Sequence, residues 1–337
     1  MGPMLRLGIL DQSPVRTGGS AADSVHETLE LAQAAERLGY GRYWLAEHHA
    51  TPGLAGSCPE ILIGQVAART SRIRVGSGGV MLSHYSALKV AESFRMLELL
   101  FPGRIDLGIG RAPGSDGRTA RVLRRVPEPA GAEFFPEQIA ELMGFLGEGL
   151  PPGHPAATVL AMPEVASTPE LWLLGSSDQS AMLAAHFGAA FSFAHFINNE
   201  GGAEITRMYA ENFRPSAALA APRASVAVFT VCADTEAEAW RLARSRELFI
   251  LRLHGGRPGR YPSVEEAEAY PYTAHELAVV EYNRRRTVAG TPEQVRARLT
   301  ALAADYGVEE LIIVTITHDP KARLRSYELL AQAFELT

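Results

Sequence analysis

The sequence predicts a single (β/α)8 barrel. Three observations carry that expectation. Short apolar runs alternate with amphipathic helical segments along the whole chain, the strand-like runs number eight, and no shift of composition divides the 337 residues into two domains. A doubly wound sheet would stop at about five or six strands and leave a residual domain over.

The first strand is residues 5–10, which breaks at Asp11, Gln12, Ser13 and Pro14. Ser24 and Glu27 stand at capping-box spacing, and Val25, Leu29, Ala32, Ala35 and Leu38 recur at helical intervals until Gly39, so a helix follows. The same grammar gives strand 42–46, helix 60–69, strand 73–82, helix 87–100 and strand 105–109. An irregular stretch from residue 111 to about residue 135 precedes a helix to about residue 146, and residues 151–155 form a Pro/Gly-rich passage. Alternation resumes with strand 170–174, helix 179–187, strand 190–193, helix 204–213, strand 225–231 and helix 236–249. Residues 254–272 are rich in Gly, Pro and Tyr and lack periodicity, which marks the wider segment 252–274 as a lid or a surface insertion after the seventh strand. Thr291, Pro292 and Gln294 then open a helix with an N-cap, a proline in its first turn and a capping-box partner. Residues 310–314 make the eighth strand, and a helix over 321–334 closes the chain.

With 32 basic against 38 acidic residues, the net charge of -6 argues against a phosphate-backbone binder, so no nucleic-acid partner is expected. Cys58 and Cys232 are the only cysteines, which leaves neither a disulfide framework nor a four-thiolate zinc site. No apolar run approaches the ~18 residues of a membrane helix, and no basic segment leads into an apolar run at the N-terminus. The expectation is a cytoplasmic protein without a membrane partner.

Barrel chemistry sits at the C-terminal ends of the strands, so the strand-to-helix loops hold the candidates. Glu47, His48 and His49 follow the second strand, as titratable site residues or as ordinary loop and packing residues. Neighbours on extended backbone point to opposite faces, so the histidine pair suits zinc poorly, and the first strand ends without a histidine to help. Gly76, Gly78 and Gly79 interrupt the third strand, either because a flat group approaches the backbone there or because a bulge shapes the barrel. The fourth strand ends at Gly108, Gly110, Arg111 and Gly114, a spacing that fails both common nucleotide fingerprints. Arg111 suits a phosphate or a surface ion pair. Gly175, Ser176, Ser177 and Ser180 follow the fifth strand, where free N–H groups and hydroxyls make an anion site or simply cap a helix.

Taken in order, residues 43–49 (YWLAEHH), 75–82 (VGSGGVML), 101–108 (FPGRIDLG) with Gly110 and Arg111, and 174–177 (LGSS) resemble the bacterial-luciferase-like family of flavin-dependent monooxygenases, which are TIM barrels. The likeness spans essentially the whole chain and leans toward the branch of single-component size that includes natural-product tailoring oxygenases. It implies a homodimer and reduced FMN (FMNH2), with Arg111, Gly175, Ser176, Ser177 and Ser180 around the phosphate. It places the flavin ring against a cis Gly78–Gly79 peptide, His48 as the catalytic acid or base, and Glu47 as the residue that orients or charge-tunes it. One oxygen atom from O2 then reaches an organic substrate through a C4a-peroxyflavin, with a separate flavin reductase supplying FMNH2, since no dinucleotide fingerprint is present. An aromatic polyketide-like substrate and antibiotic biosynthesis fit that branch, and a long-chain aldehyde is also compatible.

The chain departs from luciferase at two positions. Gly110 stands where the active subunit has a reactive cysteine, which removes the ground for expecting light, and Ser176 stands where that subunit has an acid. Three rivals keep a place: an F420-dependent hydride-transfer oxidoreductase, a noncatalytic flavin-binding subunit, and a metal-dependent barrel hydrolase.

Overall fold

Strands buried on both faces need covering layers inside and out, and β4 and β6 are buried at every position, so the sheet closes on itself with helices around it. The structure, a computed structural model, describes residues 5–112, 114–124, 134–147 and 149–336. The elements run β1 (Arg6–Asp11), α1 (Ala21–Arg37), β2 (Arg42–Leu45), α2 (Pro59–Ala67), β3 (Arg74–Met81), α3 (Ala87–Leu100), β4 (Ile105–Gly110), α4 (Gly117–Arg124) and α5 (Phe135–Leu146). They continue through β5 (Glu170–Gly175), α6 (Asp178–Phe187), β6 (Ala190–Ala194), α7 (Gly202–Glu211), β7 (Ala224–Cys232), α8 (Glu236–His254), α9 (Val264–Ala269) and α10 (Ala274–Arg284). The chain ends with β8 (Thr287–Gly290), α11 (Pro292–Tyr306), β9 (Glu310–Val314) and α12 (Pro320–Ala333).

The ring runs from β1 through β7 in order, passes from β7 to β9, and closes from β9 onto β1, with every pairing parallel. The eighth barrel strand expected from sequence is therefore β9. β8 lies outside the ring on residues 229–232 of β7. Phe229 pairs β9 and β8 at once, so β8 continues the edge that β6 occupies lower down.

Six elements differ from the sequence expectation. α4 occupies part of the stretch read as irregular, while residues 125–133 of that stretch lie outside the described ones. α9, α10 and the four-residue β8 were not anticipated, being too short or too polar to show a period. α8 continues past residue 249 to His254. The N-cap of α1 is Ser20 rather than Ser24: the Asp23 carboxylate accepts from Ser20 N at 2.8 Å and Ser20 Oγ accepts from Asp23 N at 3.1 Å, which leaves Ser24 buried inside the helix.

Leu7, Ile9, Tyr43, Val75 and Leu107 point outward into the helix layer, while Leu10, Trp44, Trp172, Phe229 and Ile312 fill the barrel. The barrel's N-terminal end is closed by charge. Arg42 donates to Glu310 at 2.6 Å and to Asp106 at 2.5 Å, and Arg74 Nε and Trp44 Nε1 reach the same Asp106 carboxylate at 2.7 and 2.9 Å. The Arg42 guanidinium also lies 4.7 Å from the Trp172 ring centre. Removing one partner of such a network strands the others without compensation. Asp106→Ala is expected to cost about 3–5 kcal/mol in urea unfolding, and a loss under 1 kcal/mol would show that the closure is not structural.

Candidate functional site

Opposite that charged end, the strand-to-helix loops surround a chamber of about 980 Å³. His48 lines it from the β2 end, Phe196 and Ile197 from beyond β6, and Arg246, Phe249 and Leu253 from α8. The volume lies at the upper end of ligand pockets and suits a three-ring body with a partner molecule.

Glu47 builds the β2 side of the mouth. Its carboxylate is buried and accepts from Met81 N at 2.9 Å, from Tyr85 OH at 2.7 Å and from the His49 ring at 2.7 Å. The family resemblance implied that Glu47 orients or tunes His48; its direct imidazole partner is His49, because alternate residues on extended backbone share a face and adjacent ones do not. His48 turns into the chamber, held by its own N–H to Gly56 O at 2.8 Å. Its Nδ1 is buried and has no hydrogen-bond partner among the described residues. Burial, with the neighbouring His49 adding to it, pushes the His48 imidazole down to about 4, so it is neutral at pH 7.

Gly78 and Gly79 lie at the end of β3, joined by a cis peptide as the resemblance implied, where the pairing with β4 shifts register. A Cβ on Gly79 would come within 2.7 Å of Leu174 and 2.8 Å of the Gly108 carbonyl, and one on Gly78 within 2.5 Å of Leu10. Contacts within the protein therefore suffice to require glycine at both positions.

Arg111, at the end of β4, donates to Gln179 on the first turn of α6 and forms no surface ion pair among the described residues. Ser177 is the N-cap of α6, in a reciprocal capping box with Ser180, whose hydroxyl donates to Ser177 O at 2.7 Å. Gly175 admits that hydroxyl, since a Cβ there would lie 2.2 Å from Ser180 Oγ. Asn198 Nδ2 donates to Ser176 O at 3.2 Å. The structure thus gathers Arg111, Gly175, Ser176, Ser177 and Ser180 at the adjoining ends of β4 and β5. It does not put all the predicted residues on one surface: Arg111 and Ser180 border a hollow of about 10 Å³, and of the predicted set only His48 lines the large chamber.

Sequence reasoning missed the arginine-bearing wall of the chamber, Arg246, Arg284 and Arg286: Arg246 is an isolated charge on α8, and the run of three arginines at 284–286 lies where no strand or helix was expected. It also missed His195 beyond β6, whose Nδ1 lacks a partner among the described residues and which burial, then the Arg286 charge, pushes down to about 4. Segment 252–274 is tied down at Tyr261, which stacks on Phe249 at 3.8 Å and exchanges backbone hydrogen bonds with Val15 and Thr17 at 2.9 and 2.8 Å.

Residues 5–310 match the luciferase-like monooxygenase family. The chain is a luciferase-like monooxygenase. Two relatives from Bacillus subtilis strain 168 align over 98% of it: uncharacterized protein YwcH, 49% identical over 99% of its own length, and N-acetyl-S-alkylcysteine monooxygenase, 40% identical over 98%. Among solved structures, apo-MsnO8 superposes with a TM-score of 0.91 at 42% identity, covering 99% of both chains. The two site regions of this luciferase-like monooxygenase, the β2 end and the β4–β5 ends, both fall inside the matched residues.

The unfolded chain protonates both imidazoles below pH ~6.5, whereas the folded one waits until about 4. Stability is therefore expected to fall as pH drops through that window, by up to about 3 kcal/mol per histidine. Urea titrations at several pH values should show a shallower fall in His48→Gln and in His195→Gln, and a wild type equally stable at pH 7 and pH 5 would refute the assignment.

Proposed function

We propose that the protein is an FMN-dependent monooxygenase that inserts one oxygen atom from O2 into an organic substrate. The observation that carries this reading is His48, a neutral imidazole with an unsatisfied buried nitrogen, on the wall of a chamber large enough for a flavin and a substrate. The residues fit the cofactor. A strand-end arginine and the hydroxyl-rich start of α6 suit a phosphate, and exchange of the Arg111–Gln179 contact for a phosphate oxygen would give a stronger, charge-assisted bond. Arg111, Gly175, Ser176, Ser177 and Ser180 would hold the phosphate, and Gly78 and Gly79 would support the ring.

When bound, the reduced flavin supplies the electrons that activate O2. His48 accepts or returns a proton beside the reacting groups, a role open to the neutral imidazole throughout the range above pH ~4. Glu47 acts one step removed, by fixing His49, Met81 and Tyr85 and so the direction in which His48 leaves the strand. Phe196, Phe249, Ile250 and Leu253 give the chamber an apolar side that keeps water out and suits an aromatic, polyketide-like body. Gly256, Pro258 and Tyr261, from segment 252–274, cover it as a lid.

Anaerobic titration with FMNH2 and with reduced F420, followed by 18O2 and candidate substrates, tests the reading. FMNH2 binding and one 18O per product are expected; F420 binding in its place, or product without 18O, would overturn it. His48→Ala is expected to lower kcat by about 100-fold or more with FMNH2 affinity unchanged, and Arg111→Ala to weaken FMN but not riboflavin. Turnover with NAD(P)H and FMN alone, without an added reductase, would refute the need for a separate flavin reductase.

The dimer expected from the family resemblance has a ready face. Ile61 on α2 and Met96, Leu99 and Leu100 on α3 are 65%, 46%, 50% and 60% exposed, an apolar patch suited to a two-fold contact. Light scattering should give a dimer for the wild type and a monomer for Ile61→Glu with Leu100→Glu.

A further inference from the structure

The chamber wall carries positive charge that its own lining does not answer. Arg118, Arg121, Arg246, Arg284 and Arg286 border it, against Asp116 and Glu247. Both carboxylates are already engaged: Glu247 accepts from Arg284 at 2.6 and 3.0 Å, and Asp116 accepts from the N–H groups of Arg118 and Thr119 at 2.8 and 3.1 Å in the first turn of α4. Arg246 and Arg286 have no carboxylate within salt-bridge distance among the described residues. The Arg246 guanidinium lies over the Phe229 ring, 3.9 Å from its centre, and among the described residues Arg286 donates to neutral acceptors, the Ile197 carbonyl and the Asn283 side chain.

The two cations serve one volume. Arg286 and Arg246 both lower the affinity of His254 for a proton, after burial itself, and all three residues line the chamber. Burial pushes Arg246 down to about 10, with the Arg286 charge adding to it. A desolvated guanidinium without a counter-charge is costly, and an anionic group on a ligand would remove the cost while gaining forked, charge-assisted hydrogen bonds. Beside the arginines stands the apolar stretch of Phe196, Phe249, Ile250 and Leu253. The pair belongs to the β7–β8 side, three strands round the ring from Arg111 on β4.

We propose that Arg246 and Arg286 bind the carboxylate of the substrate, so that this enzyme acts on organic acids with an apolar body. The inference rests on the reading of the chamber as the substrate site, and it adds the charge and the anchoring end of the molecule taken there.

Calorimetry on the full chain without flavin or oxygen tests it. Phenylacetate, octanoate and N-acetyl-S-methylcysteine are each compared with the corresponding neutral amide at low salt. At least one acid is expected to bind tenfold or more tighter than its amide, with the preference shrinking as salt rises. In Arg246→Met with Arg286→Met the preference should fall to within twofold; where that double variant does not fold, Arg246→Lys and Arg286→Gln should each reduce it. Equal binding of every acid and amide, no binding of any acid, or a preference untouched by the substitutions would overturn the proposal.

A second arm separates the substrate's anion from the cofactor's phosphate. The preference for FMN over riboflavin should survive in the Arg246 and Arg286 variants and be lost in Arg111→Ala, whereas the reverse pattern would make these arginines a phosphate site and defeat the proposal. Because the first readout needs neither flavin nor oxygen, a failed 18O experiment would leave it standing, and its failure would leave the oxygenase reading intact.

Discussion

The mouth of this barrel is organised around one carboxylate that does not itself face the chamber. Glu47 leaves the end of β2 on the side away from His48 and gathers the Met81 amide, the Tyr85 hydroxyl and the His49 ring onto its two oxygens. Those partners come from β2, the end of β3 and the turn beyond it, so the carboxylate joins two neighbouring strands where sheet hydrogen bonding gives out. Extended backbone does the rest. With Glu47 and His49 fixed on one face, His48 must take the other, which leads into the cavity. The imidazole is thus placed by backbone geometry and by its neighbours' bonds, and its own ring nitrogen Nδ1 is left without a partner among the described residues.

The two ends of the barrel treat charge in opposite ways. At the N-terminal end Arg42, Arg74, Asp106 and Glu310 are matched at hydrogen-bond distance and shielded by Trp44 and Trp172, an arrangement that suits permanence. At the C-terminal end cations stand over an aromatic ring or on neutral oxygens, and imidazoles are held neutral by burial. Matched charge belongs to folding; unmatched charge belongs to recognition.

The alternation of strands and helices was legible in the sequence because each barrel strand is a short apolar run and most covering helices carry caps of recognisable chemistry, such as Thr291 with Gln294. Apart from α4, the elements that escaped notice lie between β7 and α11. There a four-residue strand, TVAG, shows no alternation, and the polar α10 buries only Val280. The same limit applied to the site. Glu47, His48 and Arg111 stand in dense local patterns and could be picked out by position, whereas Arg246 and Arg286 lie 40 residues apart in the sequence and meet only through the fold. The hydrogen-bond partners of Glu47 could be read only by knowing which side chains share a face, and the glycines of β3 owe their place to neighbouring strands, Gly79 to the Gly108 carbonyl of β4 and Gly78 to Leu10 of β1, which no local pattern names.

That last point bears on how such an enzyme changes over evolutionary time. A methyl group on Gly79 or Gly108 would collide with main-chain oxygens of the adjoining strand, at 2.8 and 2.2 Å, and no exchange of side chains clears a carbonyl from the way. The α8 flank, by contrast, borders the cavity with Arg246, Phe249, Ile250 and Leu253 on a covering helix outside the sheet, where a replacement meets no strand carbonyl. Descendants of this chain can therefore diversify their diet by recutting one flank while the opposite edge stays frozen, so new appetites should accumulate as substitutions on α8 and around β8, with the glycine edge inherited unchanged.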